Sequence, residues 1–222
     1  MSLSDLTSVA SVLDREYVIA SDKAQVSTFL EGFIVELESL GVIKKDAFRV
    51  RLALDEALVN AVKHGNLEDS EAKEVEPTPE MLARKVRLQV DIDDVEPQEI
   101  TAMRPDGELE QKKIDAVLSA RIRDEGPGFD PKDVPVCTAE EALTKESGRG
   151  LFLMKCYMDE VGVQRMPVGM LVQLNLGFLR QRIQDVMVLK GSDADMAGIP
   201  DSAGETEKTS PQVEGPDDSA KL

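Results

Sequence analysis

Three short motifs contain the side chains of this sequence that could do chemistry. Glu56 and Asn60 lie four residues apart in a helical run, Asp124 ends a strand-like run, and residues 148–151 (Gly-Arg-Gly-Leu) open another helix. Together they supply a carboxylate beside a metal-binding amide, a second carboxylate that can read a purine, and glycines that leave room for phosphates. An ATP site needs all of these parts, so the sequence predicts one.

The first motif places polar groups along one side of a helix. Each helical residue advances about 100° around the axis, so Glu56, Asn60 and His64 are predicted to share one face of a mostly apolar helix. The amide oxygen of Asn60 is a hard ligand that suits Mg²⁺. The carboxylate of Glu56 could accept a proton from an attacking hydroxyl group or water. A solvent-facing polar stripe is the alternative, and for His64 a capping or supporting role is expected rather than catalysis.

The second motif, residues 124–128 (Asp-Glu-Gly-Pro-Gly), can be explained in two ways. Adenine carries an exocyclic amine, and the carboxylate of Asp124 is a good acceptor for it. Gly126 and Gly128 lack side chains, which lets a flat ring approach the backbone. The same stretch is also favourable turn chemistry at the end of a strand.

The third motif is a pair of glycines, Gly148 and Gly150, just before a helix. Free backbone N–H groups and the positive end of the helix can meet phosphate at such a place. A glycine pair is a weak signal by itself. Neither glycine motif has the Gly-Lys-Ser/Thr ending of a Walker A loop or the six-residue dinucleotide fingerprint.

The apolar pattern predicts the elements that must position these motifs. Apolar residues at helical spacing predict helices at about residues 22–40 and 44–63, and a third from residue 151 to near residue 162. Alternating apolar and polar residues predict strands at 15–20, 85–92, 116–123 and 170–176. The second and third strands are predicted to pair in antiparallel fashion, with the charged residues 93–113 forming a polar, solvent-facing excursion between them.

Composition restricts the partners and the compartment. The net charge of −17 argues against nucleic acid, which is bound by clustered cations, and fits either a basic protein patch or simple solubility. No apolar stretch approaches the roughly 20 residues of a membrane span, so no membrane role is expected. The two cysteines, Cys137 and Cys156, form no disulfide framework or metal-binding spacing, and a cytoplasmic location is expected.

In this order and spacing, the three motifs resemble the N box and the two glycine boxes of the Bergerat-type ATPases. Residues 54–66 and 151–161 are more closely similar to the anti-sigma factor serine kinases of bacterial stress and sporulation switches. The resemblance covers roughly residues 10–177. It implies a two-layer α/β (α+β) sandwich, with a mixed, mostly antiparallel sheet, helices on one face, and ATP held between helices.

The resemblance also implies roles for individual residues. Glu56 is the implied catalytic base, Asn60 the Mg²⁺ ligand and Asp124 the adenine contact, while His64 lies close to the nucleotide. The residues implied to line the nucleotide are those of the two glycine boxes, namely Gly126, Gly128, Gly148, Arg149, Gly150 and Leu151. Family members often carry an arginine where this sequence has Glu146, and Lys145 or Arg149 is expected to take its place at the terminal phosphate.

These expectations divide the chain into an ATPase domain at residues 1–177, with an ATP lid at about 131–147, a short amphipathic helix within 178–190, and an acidic disordered tail at 191–222. The activity implied is transfer of phosphate from ATP to a serine of a small antagonist protein, coupled to sequestration of a sigma factor or another regulator. Two alternatives stay open, an ATP-binding module without phosphate transfer and a detached histidine-kinase catalytic domain. Whether the chain forms a homodimer is also open.

Overall fold

The computed structural model describes residues 2–104, 107–133 and 149–182. The strands of this part are β1 Ser8–Ala20, β2 Lys85–Met103, β3 Leu109–Arg123, β4 Glu160–Arg165 and β5 Met170–Phe178. The helices are α1 Lys23–Ser39, α2 Lys44–Asn60, α3 Pro79–Ala83 and α4 Gly150–Tyr157. A π-helical segment, Ala61–Asn66, continues α2, and 3₁₀ turns form at Leu3–Asp5 and Pro131–Asp133. The strands form one sheet in the order β1-β2-β3-β5-β4.

The main core lies between one face of this sheet and the helices. Alternate residues of the central strands, such as Leu88 on β2 and Ile122 on β3, are buried against α1 and α2, which contribute Leu30 and Leu58. All neighbouring strands of the sheet pair in antiparallel fashion. The predicted two-layer α+β sandwich with helices on one face is therefore confirmed, and it is consistent with a Bergerat-type fold. The predicted sheet is mixed and mostly antiparallel, whereas the sheet of the described residues is antiparallel throughout.

The two long helices begin where the sequence predicts. The side chain of Asp22 accepts a hydrogen bond from the backbone N–H of Ala24 at 2.8 Å, which caps the first turn of α1. α1 ends at Ser39, and Gly41 follows with φ of +91°. α2 also begins at the predicted residue, Lys44. Its regular α-helical part ends at Asn60, three residues earlier than predicted, because the chain continues as a π-helix.

Residues 93–113 differ from their predicted polar excursion. β2 continues to Met103 and β3 begins at Leu109, so most of this segment forms an antiparallel ribbon. The register shifts between Asp94 and Gln98, which marks an irregularity in β2. Beyond this point one face of the ribbon is exposed, and the other face has only a few apolar residues, Ile100, Ala102 and Ile114, which are buried or half-buried among charged neighbours. That is why the hydrophobic pattern did not reveal the outer parts of β2 and β3.

The third helix is shorter than predicted, and the strand after it was missed. α4 ends at Tyr157 rather than near Gly162, and Glu160–Arg165 forms β4. The carboxylate of Asp159, between the two elements, accepts a hydrogen bond from the backbone N–H of Gly177 at 2.8 Å and pairs with Lys112. These contacts attach the chain to the sheet just after the helix. The alternation of Val161 and Val163 with polar residues was the signal available in the sequence.

Residues 179–182 lie beside the turn between α1 and α2 and are held there by charged side chains and a backbone hydrogen bond. The guanidinium group of Arg180 donates to both carboxylate oxygens of Asp94 at 2.7 Å and to the carbonyl oxygen of Leu40 at 3.1 Å. The backbone N–H of Gln181 donates to the carbonyl oxygen of Gly41 at 2.9 Å. The predicted helix within residues 178–190 is described only as far as residue 182, and residues 179–182 are not helical. The rest of that segment and the predicted tail at 191–222 lie outside the described residues.

Replacing Gly41 with Ala is expected to lower the free energy of unfolding by about 2 kcal/mol and the melting temperature by about 5 °C. A Cβ atom at residue 41 would lie 2.1 Å from the carbonyl oxygen of Gln181, and the positive φ strains any L side chain. Gly32→Ala is the matched control, because no atom lies within 4 Å of that Cβ position in α1. Thermal denaturation gives the melting temperatures of the Gly41→Ala and Gly32→Ala variants. Equal values would contradict the close contact between residue 41 and Gln181.

Candidate functional site

A cavity of about 530 Å³ lies between the helix layer and the sheet, within the size range of small-molecule sites. Its wall is mostly apolar and comes from α2, β3, α4, β4 and β5. The apolar side chains that line it include Ile122, Leu151, Met154, Val163, Met170 and Val172. The polar side chains are those of Asn60, His64, Asp69 and Asp124. An apolar slot with few polar groups suits a flat heterocycle that is oriented by hydrogen bonds.

The first and third sequence motifs meet at this cavity. A Cβ atom at Gly150 would lie 2.7 Å from Nδ2 of Asn60 and 2.9 Å from Oε2 of Glu56. A Cβ atom at this position would displace the ends of both side chains, so the glycine lets Glu56 and Asn60 lie against the start of α4. The predicted convergence of Glu56 and Asn60 with the second glycine box is therefore present. Asn60 and Gly150 line the cavity directly.

The π-helical segment changes the predicted position of His64. Because a π-helix holds more residues per turn than an α-helix, His64 leaves the regular i, i+4, i+8 stripe. It still lines the cavity, and its Nδ1 atom lies 2.5 Å from Oδ1 of Asp69, in the turn that follows. The cavity therefore gains Asp69, a residue that the sequence did not single out.

Asp124 lies in the wall of the cavity and is 4% exposed. Its Oδ1 atom accepts a hydrogen bond from the backbone N–H of Gly126 at 2.9 Å. Burial raises the pKa of Asp124, although hydrogen bonds from the backbone of Gly126 and Met170 act in the opposite direction. A buried carboxylate with free acceptor capacity in an apolar slot has the chemistry needed to read an exocyclic amine.

Three glycines, Gly65, Gly126 and Gly169, allow the backbone segments around Asp124 to pack closely together. A Cβ atom at Gly65 would lie 2.6 Å from Cγ of Asp124, and one at Gly169 would lie 2.0 Å from its carbonyl oxygen. A Cβ atom at Gly126 would lie 2.2 Å from the carbonyl oxygen of Gly65, so Gly126 is required by contact with the protein itself. Gly128 lines the cavity and has φ of +68°, which favours glycine. Gly169 was missed because it stands alone in the sequence.

Asn66 joins the end of the π-helical segment to the second motif, and sequence reasoning missed this role. The residue is fully buried. Its Oδ1 atom accepts from the backbone N–H of Glu125 at 2.7 Å, and its Nδ2 atom donates to Oγ of Ser21 at 2.8 Å. Its carbonyl oxygen accepts from Arg84 at 2.9 Å. In the sequence, the Gly65-Asn66 pair gives only the local signal of a helix end, whereas these partners are distant in sequence.

The second glycine box is described only in part. Arg149 is exposed and Leu151 lines the cavity, as does Gly150 at the start of α4. Lys145, Glu146 and Gly148 lie outside the described residues, as do residues 134–147 of the predicted lid. In the described part of the lid, Pro131 lines the cavity.

Removing the positive charge of Arg149 is expected to move the rate-versus-pH curve of ATP hydrolysis to higher pH. Burial raises the pKa of Glu56, the carboxylate of Asp55 adds to this, and the charge of Arg149 lowers it. The sequence predicts Glu56 as the catalytic base, and a base must be unprotonated, so in that role the hydrolysis rate should fall as pH drops through the pKa of Glu56. Arg149→Gln removes the lowering influence, whereas Arg149→Lys keeps the charge. The midpoint of the rate-versus-pH curve is measured from hydrolysis rates at saturating ATP, over the pH range in which both variants stay folded. Equal midpoints in Arg149→Gln and Arg149→Lys would rule out an influence of the Arg149 charge on Glu56.

Comparison with known families agrees with this geometry. The family model of the histidine kinase-like ATPase domain matches residues 19–176, which include all three motifs. The chain therefore belongs to the histidine kinase-like ATPase domain family. A search of curated proteins found no match. Membership of this family supports an ATP-binding domain. The three motifs that the family model covers each contribute residues to the lining of the cavity.

Two further observations bear on ligands and membranes. In the described residues, no group of three or more His, Cys, Asp and Glu side chains is arranged to hold a metal ion. A Mg²⁺ ion that is bound through one or two protein groups together with nucleotide phosphates does not require such a group. Of the helices in the described ranges, none is long and apolar enough to span a membrane.

Proposed function

We propose that this protein is an ATP-dependent serine/threonine protein kinase that acts as an anti-sigma-factor-type switch regulator. Its substrate is a serine of a small antagonist protein, and its other partner is a sigma factor or a similar regulator. The observation that carries the proposal is the close approach of Gly150 to Glu56 and Asn60, beside a cavity that Asn60, Gly150 and Asp124 line. The net charge of −17 favours partners with basic surfaces.

The cavity offers separate places for the base and the phosphates of ATP. The adenine ring fits between apolar side chains such as Ile122 and Met170, with its exocyclic amine donating to Asp124. The phosphates would extend towards Asn60 and the start of α4 at Gly150, both of which line the same cavity. Asn60 would hold Mg²⁺ through its amide oxygen, and that ion would neutralise phosphate charge.

Glu56 is the group that would activate the substrate. The serine oxygen forms a bond to the terminal phosphorus of ATP while the bond from that phosphorus to the oxygen of ADP breaks. The serine proton passes to the carboxylate of Glu56, which later releases it to water. Burial of Glu56, which raises its pKa, makes this carboxylate a stronger base than an exposed one.

Affinity capture from the native cytosol tests the proposal. The full chain is immobilised and loaded with ADP or ATP in turn, and the bound proteins are identified. We expect a regulator and a small serine-bearing protein to exchange between the two conditions, and labelled ATP to produce acid-stable phosphoserine on the small protein. Capture without any nucleotide-dependent exchange or phosphate transfer would contradict the proposal.

The second candidate function is a nucleotide-dependent binding module without phosphate transfer. Glu146 favours it, because a carboxylate stands where related kinases often have an arginine. Nucleotide-dependent partner exchange with no labelled product would support this version. An acid-labile phosphohistidine on the partner would instead indicate a detached histidine-kinase catalytic domain.

A further inference from the structure

Two arginines lie side by side on neighbouring strands of the sheet, on the face opposite to α1 and α2. Arg87 on β2 is directly opposite Arg123 on β3. Their neighbours Leu88 and Ile122 are buried in the main core, and successive strand residues point to opposite faces. Both guanidinium groups therefore lie on the face of the sheet that the helices leave open. Like charges in directly opposed positions destabilise an antiparallel pair.

The described part of the chain does little to balance these charges. Arg87 has one ion pair, a 3.4 Å contact with Glu16 in which both side chains are 51% exposed. Pairs of this kind contribute little because water screens them. Arg123 has no ion pair with any residue in the described ranges. The chain has a net charge of −17. Two neighbouring arginines that the described carboxylates neutralise so little are unusual in such a chain, and they suggest that an anionic ligand binds here.

A cavity of about 480 Å³ opens at this pair. It is lined by three arginines, two glutamates and one exposed valine, namely Arg84, Arg87, Arg123, Glu80, Glu125 and Val168. The guanidinium group of Arg84 donates to the carbonyl oxygen of Asn66 at 2.9 Å and to Glu68 at 2.8 Å. The carboxylate of Glu125 accepts from the backbone N–H of Lys85 at 3.0 Å. Arg84 and Glu125 are therefore held in place, whereas Arg87 and Arg123 can close on a ligand.

We propose that this second cavity binds a phosphate dianion, supplied either as inorganic phosphate or as a phosphorylated protein side chain. Guanidinium groups match phosphate oxygens in geometry and form charge-assisted hydrogen bonds with them. A dianion between Arg87 and Arg123 also removes their mutual repulsion. The carboxylates of Glu80 and Glu125 oppose binding, so an affinity in the millimolar range is expected for the free ion.

The second cavity is separate from the nucleotide cavity. Asp124 lines the nucleotide cavity and the next residue, Glu125, lines the second one. Since the two share no lining residue, the proposal does not depend on the proposed kinase activity. It can be tested while adenine nucleotide occupies the first site.

Arginine side-chain NMR on the full chain, saturated with ADP, locates the bound phosphate. We expect the Nε–H signals of Arg87 and Arg123 to shift saturably with added inorganic phosphate and with a phosphoserine peptide, while equal ionic strength of sodium chloride leaves them unchanged. If the peptide binds tenfold more tightly than inorganic phosphate, the source of the phosphate is a phosphorylated protein. If the two probes bind with equal affinity, the source is the free ion. Absence of a saturable shift with either probe would overturn the proposal.

Substitutions separate a ligand-binding role from a structural one. Arg123→Gln is expected to weaken phosphate binding at least tenfold, and its melting temperature without phosphate should equal or exceed that of the parent because a repulsion is removed. Arg51→Gln is the matched control, since Arg51 is an exposed arginine on α2. Arg87→Gln provides a second variant with the same expected loss. Undiminished phosphate binding in Arg123→Gln and Arg87→Gln, or equal weakening in Arg51→Gln, would contradict the site.

Discussion

Glu56→Gln is expected to lower phosphate transfer by about 10³-fold and leave ADP affinity within about threefold of the parent value. Glutamine keeps the size of the side chain but cannot take up a proton at neutral pH. The loss should therefore appear in kcat rather than in nucleotide binding. ATP hydrolysis, with water as phosphate acceptor, measures this before any protein substrate is identified, and transfer to the captured partner repeats the measurement.

Asp55→Asn is the matched control for this change. Asp55 is exposed next to Glu56 in α2 and carries the same charge. Because its carboxylate contributes to the raised pKa of Glu56, this control should move the rate-versus-pH curve slightly to lower pH, with little change in the plateau rate. A plateau rate that falls equally in both variants would show that general surface charge, and not proton transfer at residue 56, sets the activity.

Asp124→Asn is expected to weaken ADP binding by about 100-fold, which corresponds to about 2.7 kcal/mol. Hydrogen bonds to a charged group contribute about 1.5–3 kcal/mol, and Asp124 is buried where water cannot replace a lost partner. Asparagine has nearly the same shape, so the fold should be retained. Calorimetric titration with ADP and with GDP measures both the loss of affinity and the loss of preference for adenine.

The pH dependence of nucleotide binding provides an independent test of Asp124. Burial raises its pKa, and only the ionised carboxylate accepts hydrogen bonds at both oxygens. ADP affinity should therefore decline as pH falls through this pKa, and it should be nearly independent of pH over the same range in Asp124→Asn. Asp55→Asn serves again as the control, with unchanged affinity expected. A pH profile that is identical in Asp124→Asn and in the parent would exclude Asp124 as the adenine contact.

The local elements could be predicted because their signals are local. Apolar residues at helical spacing predicted α1, and period-two alternation predicted the inner halves of β2 and β3, where one face is buried. β4 was missed because its residues are mostly half-exposed or exposed and its alternation is short. The outer ends of β2 and β3 were missed because only a few of their residues, such as Ile100 and Ile114, are apolar and charged residues surround them in the sequence.

The candidate site could be predicted only as a set of parts. Glu56, Asn60, Asp124 and the glycines were identified from chemistry and spacing. Of these, Asn60, Asp124, Gly128 and Gly150 line one cavity, and Glu56 lies beside Gly150. Asn66 and Asp69 were not identified, since nothing in their immediate neighbourhood marks them. Their partners, Glu125 and Ser21 for Asn66 and His64 for Asp69, become evident only from the folded chain.

By itself the sequence determined the two long helices, the inner strands, the polar residues available for chemistry and the family to which they belong, because periodicity and residue type act over short distances along the chain. The tertiary structure alone decided which groups meet. The approach of Gly150 to Glu56, the packing of Gly65 and Gly169 around Asp124, and the opposition of Arg87 and Arg123 all depend on strand register and helix placement. Those are set by the packing of the whole core, in which residues distant in sequence contribute together.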